Sequence, residues 1–69
     1  MSQEIRKVIA KNVKFLRESK KLNREELSLS LGFENSYISK LERASINITI
    51  DRLTKIADYF ETEIYKLLK

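Results

Sequence analysis

Proline is absent from this 69-residue chain and glycine occurs once, at Gly32. A chain so poor in breakers holds no flexible linker and no low-complexity segment. Helix formers dominate what remains, so an all-α fold is the default. The length fits one small domain over residues 1–69, since domains usually need about 50 to 200 residues. Leu, Ile, Val and Phe make up 22 of the 69 residues, too many for a disordered chain. A chain this short buries only about 60% of its unfolded surface, so a partner subunit would add needed apolar burial.

Hydrophobic spacing divides the chain into five helices. Ile5, Val8, Ile9, Val13 and Leu16 recur at intervals of three and four, behind Ser2 as N-cap, and the stripe stops near Lys20-Lys21. Asn23 with Glu26 three residues later forms a capping-box variant that opens a second helix carrying Leu27 and Leu31. Gly32 ends it, because the position after a helix commonly needs positive φ. A third helix turns Ile38 and Leu41 inward. Residues 46–50 alternate like a strand, but no second strand exists to pair with them, so they read as an extended connector. Thr49 caps a fourth helix with Leu53, Ile56, Ala57 and Phe60 inside. A fifth, capped by Thr62 or Glu63, carries Ile64, Leu67 and Leu68.

Composition narrows function. Without Cys there are no disulfides, thiolate metal sites or thiol catalysis, and a cytoplasmic home is natural. Without His the commonest metal ligand and general base are missing. No apolar run nears the roughly 18 residues of a membrane span, and no signal-peptide pattern is expected. The expectation is a protein with no catalysis, cofactor, metal or small-molecule ligand. Charge is more telling than the net +4, because residues 1–24 carry eight basic side chains against Glu4 and Glu18, whereas residues 25–69 are net acidic. Such asymmetry suits a polyanion-binding protein, although a solvated lysine-rich helix face would look the same.

The stretch 24–43 has the grammar of a helix-turn-helix. Two short helices crossing steeply need apolar contacts at Leu27, Leu31, Phe33, Ile38 and Leu41, a small residue at Ser28 and a glycine at Gly32. All seven positions fit together. Arg24-Glu25-Glu26-Leu27, Leu31-Gly32-Phe33 and Tyr37-Ile38-Ser39-Lys40-Leu41-Glu42-Arg43 resemble the phage-repressor and Cro type of helix-turn-helix protein, over residues 5–68. Within that family the chain is most similar to the controller proteins of restriction-modification systems. Those are also short five-helix proteins with a Tyr-Ile-Ser recognition helix and an Asn-Ile-Thr-Ile-like segment.

The resemblance implies a five-helix, lambda-repressor-like domain acting as a homodimer, with two recognition helices set into successive major grooves of an operator. It places Asn35, Ser36 and Lys40 where base edges are read, and Arg24, Tyr37, Arg43, Ser45 and Asn47 at the DNA backbone. The chemistry agrees, since Asn pairs with adenine, Lys with guanine and Arg with phosphate. Asn35 has a second reading as the cap of the third helix, and Tyr37 one as a packing residue. Arg17 and Glu42 pair within the fold by the same resemblance, while Glu34 beside the recognition helix conflicts with phosphate binding. Ala44 and Glu61 stand where the family often has glycine, so the third helix should end less sharply. Leu29 reads as a stray surface leucine.

Ile46, Ile48, Ile50, Tyr65 and Leu68 are more apolar surface than one small core needs, which places dimerisation in residues 46–68. The expected function is regulation of the chain's own gene and of a restriction endonuclease gene. A phage-type repressor or DNA-binding antitoxin would share the site with other targets, and a protein-binding adaptor would lack steep salt dependence.

Overall fold

Three helices open on side-chain caps that the sequence supplies. In the computed structural model, which describes residues 1–69, these are α1 (Gln3–Ser19), α2 (Arg24–Ser30) and α4 (Ile50–Tyr59). Ser2 Oγ accepts from the Ile5 amide at 3.1 Å and Thr49 Oγ1 from the Arg52 amide at 3.2 Å. Asn23 and Glu26 make both bonds of a capping box, at 2.7 and 2.9 Å. The remaining helices, α3 (Tyr37–Glu42) and α5 (Ile64–Leu67), have no side-chain cap of their own. Residues 46–49 form an extended connector with no strand partner.

Four helices end in one geometry. After each of α1 to α4 a residue with φ between +54° and +77° follows the C-cap: Lys21, Gly32, Ala44 and Glu61. Each donates to the carbonyl three residues back, and the next residue reaches five back, as Phe33 does to Ser28 at 2.9 Å and Ser45 to Lys40 at 3.3 Å. These paired bonds are Schellman motifs. The blunter end expected at Ala44 is therefore absent. Ala44 takes the left-handed conformation without glycine's freedom, at a cost of roughly 1–2 kcal/mol.

One core cluster joins all five helices. Ile9 and Val13 of α1, Leu27 of α2, Ile38 of α3, Leu53 and Ile56 of α4 and Leu67 of α5 are almost fully enclosed. Burying such side chains contributes about 1.5–3 kcal/mol each. Helix α1 packs against α3 and α5, α2 against α3, and α4 against α5. Asn12 ties α1 to the end of α5, its Nδ2 donating to the Leu67 and Lys66 carbonyls at 2.9 and 3.3 Å.

Ile48 departs from expectation: it is 6% exposed and part of this core, and its burial ties the connector to the cluster. Ile46 packs partly against the same cluster, whereas Ile50, Tyr65 and Leu68 stand exposed. Ile5, at the start of the α1 stripe, is exposed rather than buried, and Leu29 lies on the surface. No helix is long and apolar enough to cross a membrane.

Candidate nucleic-acid interface

Helix α3 is held from three sides, and only its fourth side is free. Tyr37, Ile38 and Leu41 face the core. Toward α2, the buried Ser28 hydroxyl donates to the Arg24 carbonyl at 2.9 Å and accepts from the Ile38 amide at 3.0 Å. A first-turn amide of α3, one of the donors a helix start leaves unpaired, is thus satisfied from the neighbouring helix. A serine here does more than save space. It also explains why Asn35 does not cap α3, and the Asn35 amide instead donates to the Glu25 carboxylate at 3.4 Å.

Toward α1, Glu42 receives a two-pronged bond from Arg17, Nε to Oε2 at 2.7 Å and Nη2 to Oε1 at 3.1 Å. The two side chains are 8% and 4% exposed. Arg17 Nη1 also donates to the Leu22 carbonyl at 2.8 Å, and Arg24 Nε to Glu42 Oε1 at 3.1 Å. The bond to Glu42 outweighs burial and holds Arg17 even more firmly protonated than a free arginine. No buried side-chain polar atom in the molecule is left unpaired.

Toward α4, Arg52 lies over the rings of Phe33 and Tyr37, its guanidinium carbon 4.5 Å from each centroid. The rings meet edge to face at 4.8 Å. Arg52 also bonds the Glu34 carboxylate at 3.2 and 3.4 Å. That bond draws the Glu34 carboxyl below its ordinary value and raises Arg52. The acid that conflicts with phosphate binding is therefore paired. Arg52 carries no local sequence signal, since its partner lies eighteen residues away.

The free side presents Asn35, Ser36 and Lys40, all exposed, with Ser39 half-buried and Arg43 exposed at the helix end. Lys40 sits one turn beyond Ser36, so both stand on the same side of the helix. Tyr37 is packed in the core, and burial pushes its phenol up, partly offset by Arg52. Of its two readings, packing is the one the fold realises. Ser45 is likewise not a free phosphate donor, because its hydroxyl donates to the Lys40 carbonyl at 2.9 Å and closes α3. Asn47 is exposed, its Oδ1 accepting from Arg6 Nε at 2.9 Å, which leaves its amide group free to donate. Arg24, Ser39, Glu42, Arg43 and Lys14 of α1 line one wholly polar depression beside the reading face.

The face is a short, rigidly braced helix with amide, hydroxyl and ammonium groups outward and arginines at its margins, groups that can pair with base edges and phosphates. Residues 13–67 match the helix-turn-helix family model HTH_3. The chain is 33% identical over 66 residues (96% of its length) to a hypothetical transcription factor of Neisseria meningitidis serogroup B, and spans 62% of that protein. It is 32% identical over 65 residues to control protein C.SmaI of Serratia marcescens, covering 94% of this chain and 77% of that one. The crystal structure of the hypothetical transcription factor NHTF from Neisseria superposes with a TM-score of 0.89 at 30% identity, over all of this chain and 80% of that one. The chain belongs to the HTH_3 family of Cro/C1-type helix-turn-helix proteins, DNA-binding regulators of transcription.

Proposed function

We propose that this regulator binds a two-fold related operator as a homodimer and serves as the controller of a restriction-modification system. One observation carries sequence-specific reading: α3 is locked on three sides and exposes Asn35, Ser36 and Lys40 on the fourth. Asn35 is suited to adenine, Lys40 to guanine O6 and N7, and Ser36 to either. Arg24, Arg43 and Asn47 are suited to phosphate oxygens on either side. The likeness to C.SmaI supports the controller role.

Pairing of protomers is supported by Ile50, Tyr65 and Leu68, which are 69%, 57% and 38% exposed at the start of α4 and around α5. Three exposed large apolar side chains in the last third of a small protein favour self-association. Ile46 joins that surface through its exposed portion, and Ile48 contributes from below by fixing the connector. Residues 46–68 then form the dimerisation region. The protein acts in the cytoplasm of a prokaryote, with no cofactor.

The test is a binding selection from randomised duplexes, followed by titrations of two variants on the selected site. Lys40→Ala should lose about 1–3 kcal/mol and relax preference at one base position per half-site. Arg43→Ala should weaken all sequences alike and lower the salt slope by about one. An unaltered motif with Lys40→Ala removes that residue from reading. Sedimentation over micromolar concentrations should show a reversible monomer–dimer equilibrium, and a strict monomer would remove the two-fold operator.

A further inference from the structure

The reading face leaves most of the early positive charge unused. Of the eight basic side chains in residues 1–24, Arg17 is buried against Glu42 and Arg24 bonds the same carboxylate. Arg6 bonds Asn47 and Gln3, and Lys20 lies over the Tyr59 and Phe60 rings. Lys7, Lys11, Lys14 and Lys21 remain, all exposed and making no ion pair; Lys21 lies past the end of α1, and the other three lie within it.

Their spacing of four and three puts them on one side of α1, in a row about 10 Å long at 1.5 Å per residue. Like charges at these intervals destabilise a helix by a few tenths of a kcal/mol per pair, so helix formation alone does not favour the row. The row flanks a groove floored by Ala10 and Ala44, both buried and small. Its acidic members are compromised, because Glu42 is held by two arginines and Glu18 lies 3.8 Å from Arg17. The groove also runs on. Lys14, Glu42 and Arg43 line both it and the polar depression that contains Arg24 and Ser39 at the edge of the reading face.

We infer that α1 is a second contact surface for the same duplex: Lys7, Lys11 and Lys14 form a sequence-independent track for the phosphate backbone flanking the half-site that α3 reads. This rests on the operator-binding reading above. Successive phosphates rise about 3.4 Å along the axis but lie farther apart along the winding strand, so a row of about 10 Å, extended by its long lysine arms, reaches up to three of them. No acid stands between the three cations, which fits a regular polyanion, and Glu4 and Glu18, at the same helical spacing, bound the row at its two ends. Continuity with Arg24 and Ser39 favours DNA over an acidic protein, because the backbone leaving the reading face passes that margin first.

The experiment measures binding of the full chain to duplexes that carry the selected operator with flanks lengthened from none to ten base pairs. Wild type is compared with the Lys7→Gln/Lys11→Gln/Lys14→Gln variant over a range of salt. Glutamine is nearly as good a helix former as lysine, so the fold and melting temperature should hold. Should the triple variant unfold, Lys14→Gln alone carries the test, with one third of the effect. Wild-type affinity should rise with flank length. The variant should lose that dependence and about three units of salt slope per protomer, at about 0.9 per phosphate, with its selected motif unchanged. Wild type indifferent to flank length, or a variant with an undiminished slope, overturns the track and leaves these lysines to solvent or to an acidic protein. A wild type that selects no motif at all undoes the operator reading, and the track with it.

Discussion

Two carboxylates bracket the recognition helix, and each meets an arginine from a distant part of the chain. Glu42 at the exit of α3 is 4% exposed and gripped by Arg17 from α1. Glu34 at the entrance is 64% exposed and met by Arg52 from α4. The chemistry is the same and the solvent differs, which decides what each pair does. Inside, both ions have lost water, so neither can do without the other. Outside, water solvates either partner alone and the pair adds little to stability. The outer pair acts instead on electrostatics: it covers a negative charge beside Asn35 and Ser36 on the free side of α3.

The largest expected effect is on the inner pair. Glu42→Gln strands the Arg17 guanidinium in the fold and should cost about 3–5 kcal/mol. In a domain of this size each kcal/mol is worth about 4–8 °C, so thermal unfolding should show a fall in Tm of more than about 10 °C. An unchanged Tm would erase the difference between the two pairs.

Arg24→Ala sharpens the contrast within one cluster. Arg24 shares Glu42 with Arg17 but is half exposed, at 51%. Its removal should cost no more than about 1 kcal/mol of stability. On DNA, the same change takes away one phosphate partner and should lower the salt slope by about 0.9. A stability loss as large as that of Glu42→Gln would show that Arg24, not burial of Arg17, carries the cluster.

For the outer pair the expected change lies in DNA affinity rather than Tm. Arg52→Met bares Glu34 beside Asn35 and should weaken operator binding several-fold, most at low salt where repulsion is least screened. Adding Glu34→Gln should restore most of that affinity. Absence of rescue would mean that Arg52 acts by packing on Phe33 and Tyr37 alone.

The smallest effect is a pH dependence under the same arginine. Burial raises the Tyr37 phenol above its ordinary 10.0. A raised value means the folded state favours the protonated form, so this contribution is intact below pH 10 and declines as pH climbs from there through the folded value. Tyr37→Phe should flatten stability in that alkaline range. For Glu34 the sign is opposite: its lowered value gives a contribution present above the ordinary carboxylate range and lost as pH falls. Because Glu34 is exposed, its own share of any acid shift in Tm should be small, and Glu34→Gln should leave the acid side of the profile nearly unchanged.

The helix starts were legible because each is a local event. Ser2, Asn23 and Thr49 bond amides three residues ahead, within reach of any reading of neighbours. The inward residues of α2 and α3 were legible for a similar reason, since period and turn chemistry name them. The Arg17–Glu42 pair came from family resemblance, not from spacing. Neither Arg52 over Phe33 and Tyr37 nor Ser28 beneath Ile38 follows from any local pattern, because both depend on how helices cross.

The connector and the helix ends mark the boundary most plainly. Alternation in residues 46–50 shows that one set of isoleucines shares a face, but not which face is inside. Packing took Ile48 into the core cluster and left Ile50, already the first residue of α4, in solvent. Glycine announced one left-handed helix end, at Gly32, whereas the structure has four, with Lys21, Ala44 and Glu61 at the others. By itself the sequence determined five helices, the starts of three of them and the outward residues of the third. Only the tertiary structure decided how they end and brace one another, because a left-handed residue costs roughly 1–2 kcal/mol and the bonds and burial around it readily exceed that.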